Sequence, residues 1–392
     1  MNWKSYSFRA PVCVVVSVLG FALGLGCGGN NGDLPGDTAA AGQAPTIQLS
    51  ANPSRVAPGQ TSVLTWSSAG AASVVIDNGI GSVGASGSRT VSPPATTTYV
   101  ATATGTVGSA TVSTTVSVGP LQFGRVFLVV LENQSYATVV GSSAMPYLNK
   151  LIGQYALATN YFANTHPSLG NYFMMTTGQI IVNNNAFSGI VTDDNLIREL
   201  LNAGKSWKVY AENLPAVGYL GTDGYPYAKH HNPFAYFSDV VNSPAQANNL
   251  VPYSQFSGDL TAGSLAQFVY ILPNEQHDAH DCPPGMATCT NNDKLAVADD
   301  WLRLNIDPIL TSAAFQADGL LILTFDESFF TDTENGGGHV ATLIISSKAK
   351  PGFKSTTFYQ HQNVLKLMLQ SLGVSSFPGA AASSPDMPEF FQ

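Results

Sequence analysis

The sequence predicts an α/β domain that is preceded by a smaller all-β domain. Residues 45–119 are rich in Thr, Ser and Val and alternate between apolar and polar positions, as strands with one buried face do. From residue 121 onwards, continuous apolar runs alternate with segments of helical periodicity, which favours an α/β arrangement. With 392 residues, the chain is also long enough for two or more domains.

Composition restricts the classes of partner. Hydrophobic residues make up 44% of the chain and charged residues 10%, which is typical of a globular protein with few charges. The net charge is −9, and the 16 Lys and Arg residues form no basic cluster. We therefore expect that the protein does not bind nucleic acid. We also expect a monomer.

Residues 1–27 have the pattern of an export signal. Lys4 and Arg9 precede the apolar stretch "APVCVVVSVLGFALGLG", which ends at Cys27. "LGLGC" resembles a bacterial lipobox, so we expect lipidation at Cys27 and a lipid anchor in a membrane. Ordinary secretion is the first alternative, and a retained transmembrane anchor is the second. The signal and lipobox patterns predict a protein that is exported, as a cell-envelope lipoprotein or in secreted form.

Residues 28–44 are predicted to be a linker, because their Gly, Ala and Asp residues have no apolar period and cannot form a core. In residues 45–119, "TSVLTW", "ASVVID", "TTTYVATA" and "ATVSTTVSV" are predicted strands of a β-sandwich. The segment resembles the bacterial Ig-like domains of surface proteins. It lacks the cysteine pair of antibody domains, so Trp66 and aliphatic side chains should form its core. We interpret this domain as a spacer, since it has no binding motif.

Residues 121–392 form the predicted α/β domain. "RVFLVVLEN", "FVYILPN" and "GLLILTFDES" are apolar runs that end in polar residues, as strands buried in a mostly parallel sheet do. "AMPYLNKLIGQY", "DDNLIRELLNAG" and "QNVLKLMLQSLG" are predicted helices. Ligands bind beyond the carboxyl ends of such strands. The site is therefore expected where the runs end, at Glu132, Asn133, Asn274, Asp326 and Glu327.

These strand ends carry acidic residues with little basic sequence nearby. A buried carboxylate is costly unless it is paired or bound to a metal, and Arg125 lies at the opposite end of its strand. The oxygen donors of Glu132, Asn133, Asp326 and Glu327 therefore favour one hard divalent cation, with Ca²⁺, Mg²⁺ or Mn²⁺ expected before Zn²⁺. A structural salt-bridge network is the alternative.

The stretch "HPSLGNY" places His166, Ser168 and Asn171 within six positions, directly before an apolar run. A serine becomes a nucleophile when a base or a metal lowers its pKa. At the first turn of a helix it also lies at the positive end of the dipole, where backbone N–H groups bind phosphate. Helix N-capping is the other explanation for Ser168, and both roles can coexist at one position.

Cys282 and Cys289 are the only cysteines outside the signal segment. Export to an oxidising compartment favours a local disulfide between them. A zinc site is the alternative, although the spacing is not that of C-x-x-C.

Six motifs occur in a fixed order: "VLENQSY", "THPSLGNYFMMTTG", "HNPF", "HDAHD", "TFDES" and "GGGHV". Together they resemble the phosphoesterase family that includes bacterial phospholipases C and acid phosphatases, within the alkaline-phosphatase superfamily. The resemblance covers residues 121–375. It implies an alkaline-phosphatase-like α/β sandwich with a mostly parallel central sheet and a phosphate ester as substrate.

The resemblance also implies roles for individual residues. Ser168 would be the nucleophile and would bind the metal together with Glu132, Asn133, Asp326 and Glu327. Members of the superfamily with two zinc ions use mainly Asp and His ligands, so the acid and amide pairs of this chain imply a single metal ion.

A second group would surround the phosphate. The resemblance places Asn171 at the phosphoryl oxygens, together with His231 from "KHHNPF" and His280 from "HDAHD". His339 follows three glycines, which suits a group that approaches the substrate closely, and His166 lies beside the nucleophile. If these histidines act as cations, acidic pH favours the reaction.

The remaining histidines are weaker candidates. His230 and His231 are adjacent, so in an extended segment only one faces the site. His277 competes with His280. His361 begins the last predicted helix and either caps it, packs or contributes to the site.

Three functions follow from these observations. An acid phosphatase that hydrolyses phosphomonoesters through a phosphoserine is favoured. A phospholipase C-type phosphodiesterase is the alternative, and the absence of a basic amphipathic helix from the sequence argues against it. A non-catalytic surface adhesin is the third. The sequence contains neither C-x-P-x-R nor S-x-P-x-R, which argues against a sulfatase.

Overall fold

The computed structural model describes residues 43–56 and 59–392 of the chain. Residues Ala44–Gln392 form one compact unit. The predicted signal segment, the lipidation site at Cys27 and nearly all of the predicted linker lie outside the described residues. In the part of the chain that the structure describes, no helix is both long and apolar enough to span a membrane.

The predicted all-β segment is built from two sheets. Among the described residues, one sheet has the strand order β1-β3-β6 and the other the order β2-β8-β7-β4-β5. The strands are β1 (Thr46–Asn52), β2 (Arg55–Val56), β3 (Ser62–Ala69), β4 (Ser73–Ile76), β5 (Gly81–Val83), β6 (Ser86–Val91), β7 (Thr97–Gly105) and β8 (Gly108–Val118).

Alternation along these strands places one face of each on a small apolar core. In β8, Val112, Thr114 and Val116 turn inwards, while Ser113 and Thr115 between them are exposed. Trp66 is buried, and its indole N–H donates a hydrogen bond of 3.0 Å to the carbonyl of Gly84. This core is separate from that of the residues after 120. The prediction that Trp66 and aliphatic side chains form the core is confirmed.

The residues after 120 surround a mixed sheet. Among the described residues its strand order is β13-β12-β14-β9-β15-β16-β10-β17, and β11 pairs with β18 separately. The strands are β9 (Arg125–Leu131), β10 (Ala156–Ala158), β11 (Tyr161–Phe162), β12 (Trp207–Ala211), β13 (Leu250–Pro252), β14 (Phe268–Leu272), β15 (Gly319–Phe325), β16 (Thr342–Ile345), β17 (Lys354–Ser355) and β18 (Tyr359–Gln360).

The centre of this sheet is parallel and buried. β14, β9 and β15 are the three predicted apolar runs, and they are parallel neighbours in which Val126 lies opposite Phe268 on one side and Leu320 on the other. β16 runs antiparallel to β15 and β10, so the sheet is mostly rather than wholly parallel. Because the three central strands run in one direction, the residues that follow them emerge at the same edge.

Helices cover this sheet, and the three predicted ones correspond to α2, α4 and α10. The helices are α1 (Tyr136–Val139), α2 (Pro146–Gln154), α3 (Leu169–Thr177), α4 (Leu196–Asn202), α5 (Ser238–Val241), α6 (Pro244–Ala247), α7 (Phe256–Thr261), α8 (Asn291–Leu310), α9 (Ala313–Asp318) and α10 (His361–Ser371). Short 3₁₀ turns occur at Lys229–His231, Pro233–Tyr236, Tyr253–Gln255, Gly379–Ala382 and Pro388–Phe390.

Candidate active site

The polar residues predicted at the strand ends lie together at one edge of the sheet. Glu132 and Asn133 follow β9, and Asp326 and Glu327 follow its parallel neighbour β15. The backbone N–H of Asn133 donates to Oδ1 of Asp326 at 3.2 Å, and its Nδ2 donates to Oε1 of Glu327 at 3.2 Å. Asn133 has a φ of 41°, a conformation that Asn adopts more readily than most side chains. The turn at Asn133 therefore links the two strand ends directly.

The hydroxyl of Ser168 points away from the helix that it precedes. Ser168 already has helical dihedral angles, and its side chain caps no N–H group of α3. Its Oγ donates to Oε2 of Glu132 at 3.1 Å, while the N–H of Leu169 is satisfied by Oδ1 of Asn185 at 3.0 Å. Capping is therefore the wrong explanation for Ser168. The structure instead places this buried hydroxyl against the acidic residues.

Asn171 holds the loop that carries Ser168. Its Oδ1 accepts hydrogen bonds from the N–H groups of Asn164 and Thr165, at 2.9 and 3.1 Å. Its Nδ2 donates to the carbonyl of Thr165 at 2.7 Å and to Oε2 of Glu327 at 3.0 Å. All of its polar atoms are thus engaged within the protein. Its contact with phosphoryl oxygens stays a prediction.

Tyr172 is a site residue that the sequence reasoning missed. Its hydroxyl donates a short hydrogen bond to Oε1 of Glu132. Its ring stacks on the imidazole of His231, with centroids 5.3 Å apart. Tyr172 follows Ser168 by four residues, so helical spacing was the signal that places both on one face of α3.

His231 lies among the acidic residues, and its expected contact with the phosphate stays a prediction. Its Nε2 is 3.4 Å from Oε1 of Glu132, and its Nδ1 is 3.5 Å from Oδ2 of Asp278. The sequence reasoning did not single out Asp278, although it belongs to the "HDAHD" motif. His230 faces outwards to Asp223, with Nδ1 3.3 Å from its Oδ1. Only one of the two adjacent histidines faces the acidic residues, although Lys229–His231 form a 3₁₀ turn and not the extended segment that the expectation assumed.

The histidines of "HDAHD" lie further out. His280 is partly exposed, and its Nδ1 is 2.9 Å from Oδ1 of Asp281. Its ring centroid is 6.4 Å from that of His231. His277 instead contacts Glu212, with Nδ1 2.7 Å from Oε2. Of the two competing histidines, His280 is therefore the one beside His231.

His166 contacts the second acid pair. Its Nδ1 is 3.2 Å from Oε1 of Glu327, and its Nε2 is 2.9 Å from the carbonyl oxygen of Asp332. Burial lowers the pKa of His166, but its hydrogen bonds to Glu327 and to the Asp332 carbonyl outweigh burial and raise the pKa above its usual range. His166 is thus the histidine best suited to carry a positive charge here.

His339 lies in an aromatic stack, and its expected place at the substrate is not supported. Its ring lies between those of Tyr136 and Phe162, at centroid distances of 4.3 and 4.8 Å. The glycines before it have a packing reason, because a Cβ at Gly337 would lie 2.5 Å from the carbonyl oxygen of Thr165. By its sequence, this glycine run predicts close approach to a ligand. The run instead packs against the backbone that leads to the nucleophile loop.

His361 supports the second strand end. It is fully buried, with Nδ1 3.0 Å from the hydroxyl of Tyr161 and Nε2 2.6 Å from the carbonyl oxygen of Asp326. Burial lowers the pKa of His361 to about 4, so its ring is neutral near pH 7. Of the roles considered for this residue, the structure shows packing and hydrogen bonding beneath Asp326.

Four carboxyl groups are buried at this site: Glu132, Asp326, Glu327 and Asp278. Burial is the main cause that raises the pKa of each of them, that of Asp278 to about 7. Repulsion from Asp326 raises the pKa of Glu132 further, and Glu327 does the same for Asp326. Among the described residues, the basic side chains within 4 Å of these carboxyl groups are histidines and never Lys or Arg.

His231 does not behave as the expected cation. Burial lowers its pKa to about 3, and repulsion by His280 adds to the effect. A neutral imidazole can still donate one hydrogen bond and accept another. In this state of the protein His231 therefore contributes an uncharged ring, whose Nε2 is 3.4 Å from Glu132 and whose Nδ1 has no hydrogen-bond partner.

At the strand ends two buried oxygen atoms have no hydrogen-bond partner, Oδ1 of Asn133 and Oδ2 of Asp326, and Oδ2 of Asp278 is a third such atom in the site. Leaving such a group unsatisfied costs about 1–3 kcal/mol. Within residues 43–56 and 59–392, no three His, Cys, Asp or Glu side chains are already gathered as metal ligands. The carboxylates of Glu132 and Glu327 are hydrogen-bonded to Ser168, Tyr172 and the nearby amides instead. The free oxygens of Asn133 and Asp326 fit a hard divalent cation, which prefers oxygen ligands.

Cys282 and Cys289 form the predicted disulfide, with Cα atoms 5.5 Å apart. The zinc alternative for this pair is therefore wrong. The bridge begins one residue after Asp281, so it constrains the segment that carries His280.

Comparisons with known proteins identify relatives of this chain. The model of the Phosphoesterase family matches residues 142–375. This region includes Ser168, His231, Asp326 and Glu327, whereas Glu132 lies before it.

Two curated relatives are phosphatases. The chain is 30% identical over 267 residues to a phosphate-repressible acid phosphatase of Penicillium chrysogenum, covering 65% of this chain and 60% of that enzyme. It is 29% identical over 277 residues to a phosphatidylinositol-3-phosphatase of Mycobacterium tuberculosis, covering 69% of this chain and 83% of the relative. The match therefore spans less than two thirds of the fungal enzyme's length.

Solved structures resemble the chain more distantly. A protein of the alkaline phosphatase superfamily from Vibrio parahaemolyticus matches with a TM-score of 0.48 and 15% identity, covering 69% of this chain and 72% of that one.

Proposed function

The chain belongs to the Phosphoesterase family, and we propose that it is an exported, metal-dependent acid phosphatase. It would hydrolyse phosphomonoesters through a phosphoserine intermediate formed on Ser168. The observation that carries this proposal is the orientation of Ser168, whose hydroxyl bonds to Glu132 at 3.1 Å and caps no helix N–H. A purely structural serine at this position would be expected to cap the helix.

The proposed metal is one divalent ion, Ca²⁺, Mg²⁺ or Mn²⁺ before Zn²⁺, because all candidate donors are oxygen atoms. Asn133 and Asp326 would hold it through their unpartnered oxygens, together with Glu132, Glu327 and Ser168. Such an ion lowers the pKa of a serine hydroxyl and neutralises charge on a phosphoryl oxygen.

The chain's own residues supply the remaining steps. The Oγ of Ser168 attacks phosphorus, and Glu132, which already accepts its hydrogen bond, is placed to take its proton. As the bond from phosphorus to the alcohol oxygen breaks, that oxygen needs a proton, and we propose that His280 gives it, because His280 is partly exposed and lines the cavity beside Asn133. In the second half His280 takes a proton from the attacking water, the bond from phosphorus to Oγ of Ser168 breaks, Glu132 returns its proton to Oγ, and phosphate is released. Tyr172 and His231 hold Glu132 in place throughout.

Relatives favour a monoesterase over a diesterase. The names of the two curated relatives describe an acid phosphatase and a phosphatidylinositol-3-phosphatase, both of which denote removal of a terminal phosphate. The phospholipase C-type diesterase is the competing prediction. The assembled serine and acidic residues argue against a non-catalytic adhesin.

The test uses the full-length protein, stripped with a chelator and then supplied with single metals. Hydrolysis of phenyl phosphate and of bis(p-nitrophenyl) phosphate is compared between pH 4 and 9, with Ser168→Ala as the background control. We expect metal-dependent hydrolysis of the monoester that exceeds that of the diester. Preferential cleavage of the diester would favour the competing function, and no cleavage of either would contradict both.

The finer assignments outside the site are also proposals. The Ig-like character of residues 46–118 is supported by the two sheets and the buried Trp66. A spacer role predicts that deleting residues 28–119 leaves the hydrolysis of a soluble ester unchanged in a folded protein.

Export is supported by the disulfide, since such bonds persist in oxidising compartments. Lipidation at Cys27 is tested by labelled palmitate, which should be incorporated by the wild type and not by Cys27→Ala. A monomeric state is checked by light scattering.

A further inference from the structure

A cavity of about 270 Å³ opens beside Asn133, at the edge of the proposed site. It lies between the segments that follow β9 and β15 and the first turn of α8. Because the cavity shares Asn133 with the proposed metal ligands, it adjoins the place where the phosphoryl group would lie. The part of an ester that extends beyond the phosphorus atom can occupy this space.

One wall of the cavity is polar, and its side chains already have partners within the protein. Gln134 and Asn291 exchange two hydrogen bonds between their amides, at 3.1 and 3.0 Å. Lys294 donates from Nζ to the carbonyl oxygen of His280 at 2.6 Å. These pairs shape the cavity without requiring a ligand.

The other wall is formed by the aromatic rings of Phe329 and Phe330, and much of its apolar surface is not covered by other side chains. Phe330 is 75% exposed, more than any other large apolar residue in the described part of the chain. Its ring meets His166 edge-on at 5.5 Å, and Phe329 lies beside it on the same wall. The turn is held in place, because the N–H of Asp332 donates to the carbonyl of Phe329 at 2.7 Å and Ser328 Oγ donates to Asp332 at 2.9 Å. Phe330 therefore stands at a defined position with its apolar surface in water.

We propose that this cavity is the subsite for the leaving alcohol and that Phe330 binds a ring in that alcohol. The inference rests on the proposed phosphatase activity and adds its substrate class, phosphomonoesters of alcohols with one flat ring. The volume corresponds to about nine water molecules at roughly 30 Å³ each, enough for a ring and a short linker. A ring stacked on Phe330 would remove apolar surface of both from water.

The test compares benzyl phosphate with ethyl phosphate, whose leaving groups are primary alcohols of similar acidity. We expect wild-type kcat/KM to be about tenfold higher for benzyl phosphate, since ring burial and an aromatic pair both stabilise its complex. Phe330→Ala should lose most of this preference, and Phe330→Trp should retain it. Leu304→Ala is the matched control, because Leu304 is 62% exposed on α8 and does not line the cavity.

Binding provides a second measurement that is independent of turnover. Benzylphosphonate and ethylphosphonate cannot be hydrolysed at the ester position, and calorimetry with the metal-supplemented full-length protein should show tighter binding of the benzyl compound in the wild type only. Equal kcat/KM for both esters in the wild type, or an unchanged preference in Phe330→Ala, would overturn the subsite while leaving the phosphatase intact. Failure to hydrolyse either ester would instead contradict the proposed function itself.

Discussion

The hydroxyl of Ser168 donates a hydrogen bond of 3.1 Å to Oε2 of Glu132. This one contact joins the start of α3 to the end of the central strand β9. Tyr172 holds the other oxygen of the same carboxylate from the next turn of the helix. The nucleophile candidate and its acidic neighbour are therefore positioned by two rigid elements rather than by a free loop.

Ser168→Ala should lower turnover by roughly 10⁴-fold or more, as the loss of a nucleophile does in other hydrolases. The fold should persist, because Asn185 and not Ser168 satisfies the first N–H of the helix. Turnover of phenyl phosphate and the melting temperature are measured together. Ser257→Ala, at an exposed position on α7, is the control. Near-normal turnover in Ser168→Ala would remove this residue from the mechanism.

Tyr172→Phe removes one hydrogen bond to Glu132 and keeps the ring that stacks on His231. We expect kcat to fall roughly 10- to 100-fold with little change in KM, because a single buried hydrogen bond to a charged group contributes roughly 1.5–3 kcal/mol. Tyr172→Leu also loses the stacking on His231, and its kcat should be lower still. The prediction is contradicted if Tyr172→Phe raises KM and leaves kcat unchanged.

Metal should stabilise the protein as well as activate it. Burial and repulsion by Glu327 raise the pKa of Asp326. In the metal-free site these carboxyl groups are therefore held close together at a cost in stability. Asp326→Asn should weaken metal binding and lower the melting temperature in metal, yet leave the metal-free protein as stable or more stable. Thermal melts with and without chelator measure both effects. Asp300→Asn, an exposed position on α8, is the control. An identical melting temperature in metal and in chelator would show an ordinary polar network.

Asp239 and Arg198 form a pair that lies away from the active site. This pair should make the free energy of unfolding depend on pH. Burial alone would raise the pKa of Asp239, but hydrogen bonds from Arg198 and Asn195 outweigh burial and lower it. A carboxyl group with a lowered folded-state pKa stabilises the fold above its unfolded pKa of about 3.9, and this contribution is lost as the pH falls through the folded value.

Wild type should therefore exceed Asp239→Asn in the free energy of unfolding at pH 7, by less than about 1 kcal/mol because the pair is partly exposed. The difference should shrink as the pH falls from about 5 towards 2. Urea unfolding at several pH values measures it. If the difference in the free energy of unfolding between wild type and Asp239→Asn grew as the pH fell, the prediction would be contradicted.

Replacing both Cys282 and Cys289 by Ser should cost about 2 kcal/mol of stability, since the bridge closes a short loop. The same change should raise KM for benzyl phosphate, because His280 and Asp281 directly precede the bridge and line the cavity. Reductant should reproduce both effects in the wild type and do nothing further to the double variant. If KM stays constant while stability falls, the bridge does not position the cavity wall.

The sequence alone identified the strands and the acidic residues at their ends. Strands buried on both faces need continuous apolar runs, so β9, β14 and β15 were visible as such, and parallel neighbours must end at the same edge. Glu132, Asn133, Asp326 and Glu327 were therefore expected to meet before any contact between them was known. Strand alternation likewise identified the all-β segment and its buried Trp66.

The tertiary structure alone decided how the remaining polar groups are paired. Glu132 lies 40 residues from Tyr172, and Asp326 lies 35 residues from His361, so no local periodicity encodes either contact. His339 and His361 both stood as candidates by residue type, yet the first is stacked between rings and the second bonds beneath Asp326. Side-chain chemistry depends on which partner lies within about 3 Å, and packing across the sheet sets that distance, whereas sequence patterns report only which face of an element is buried.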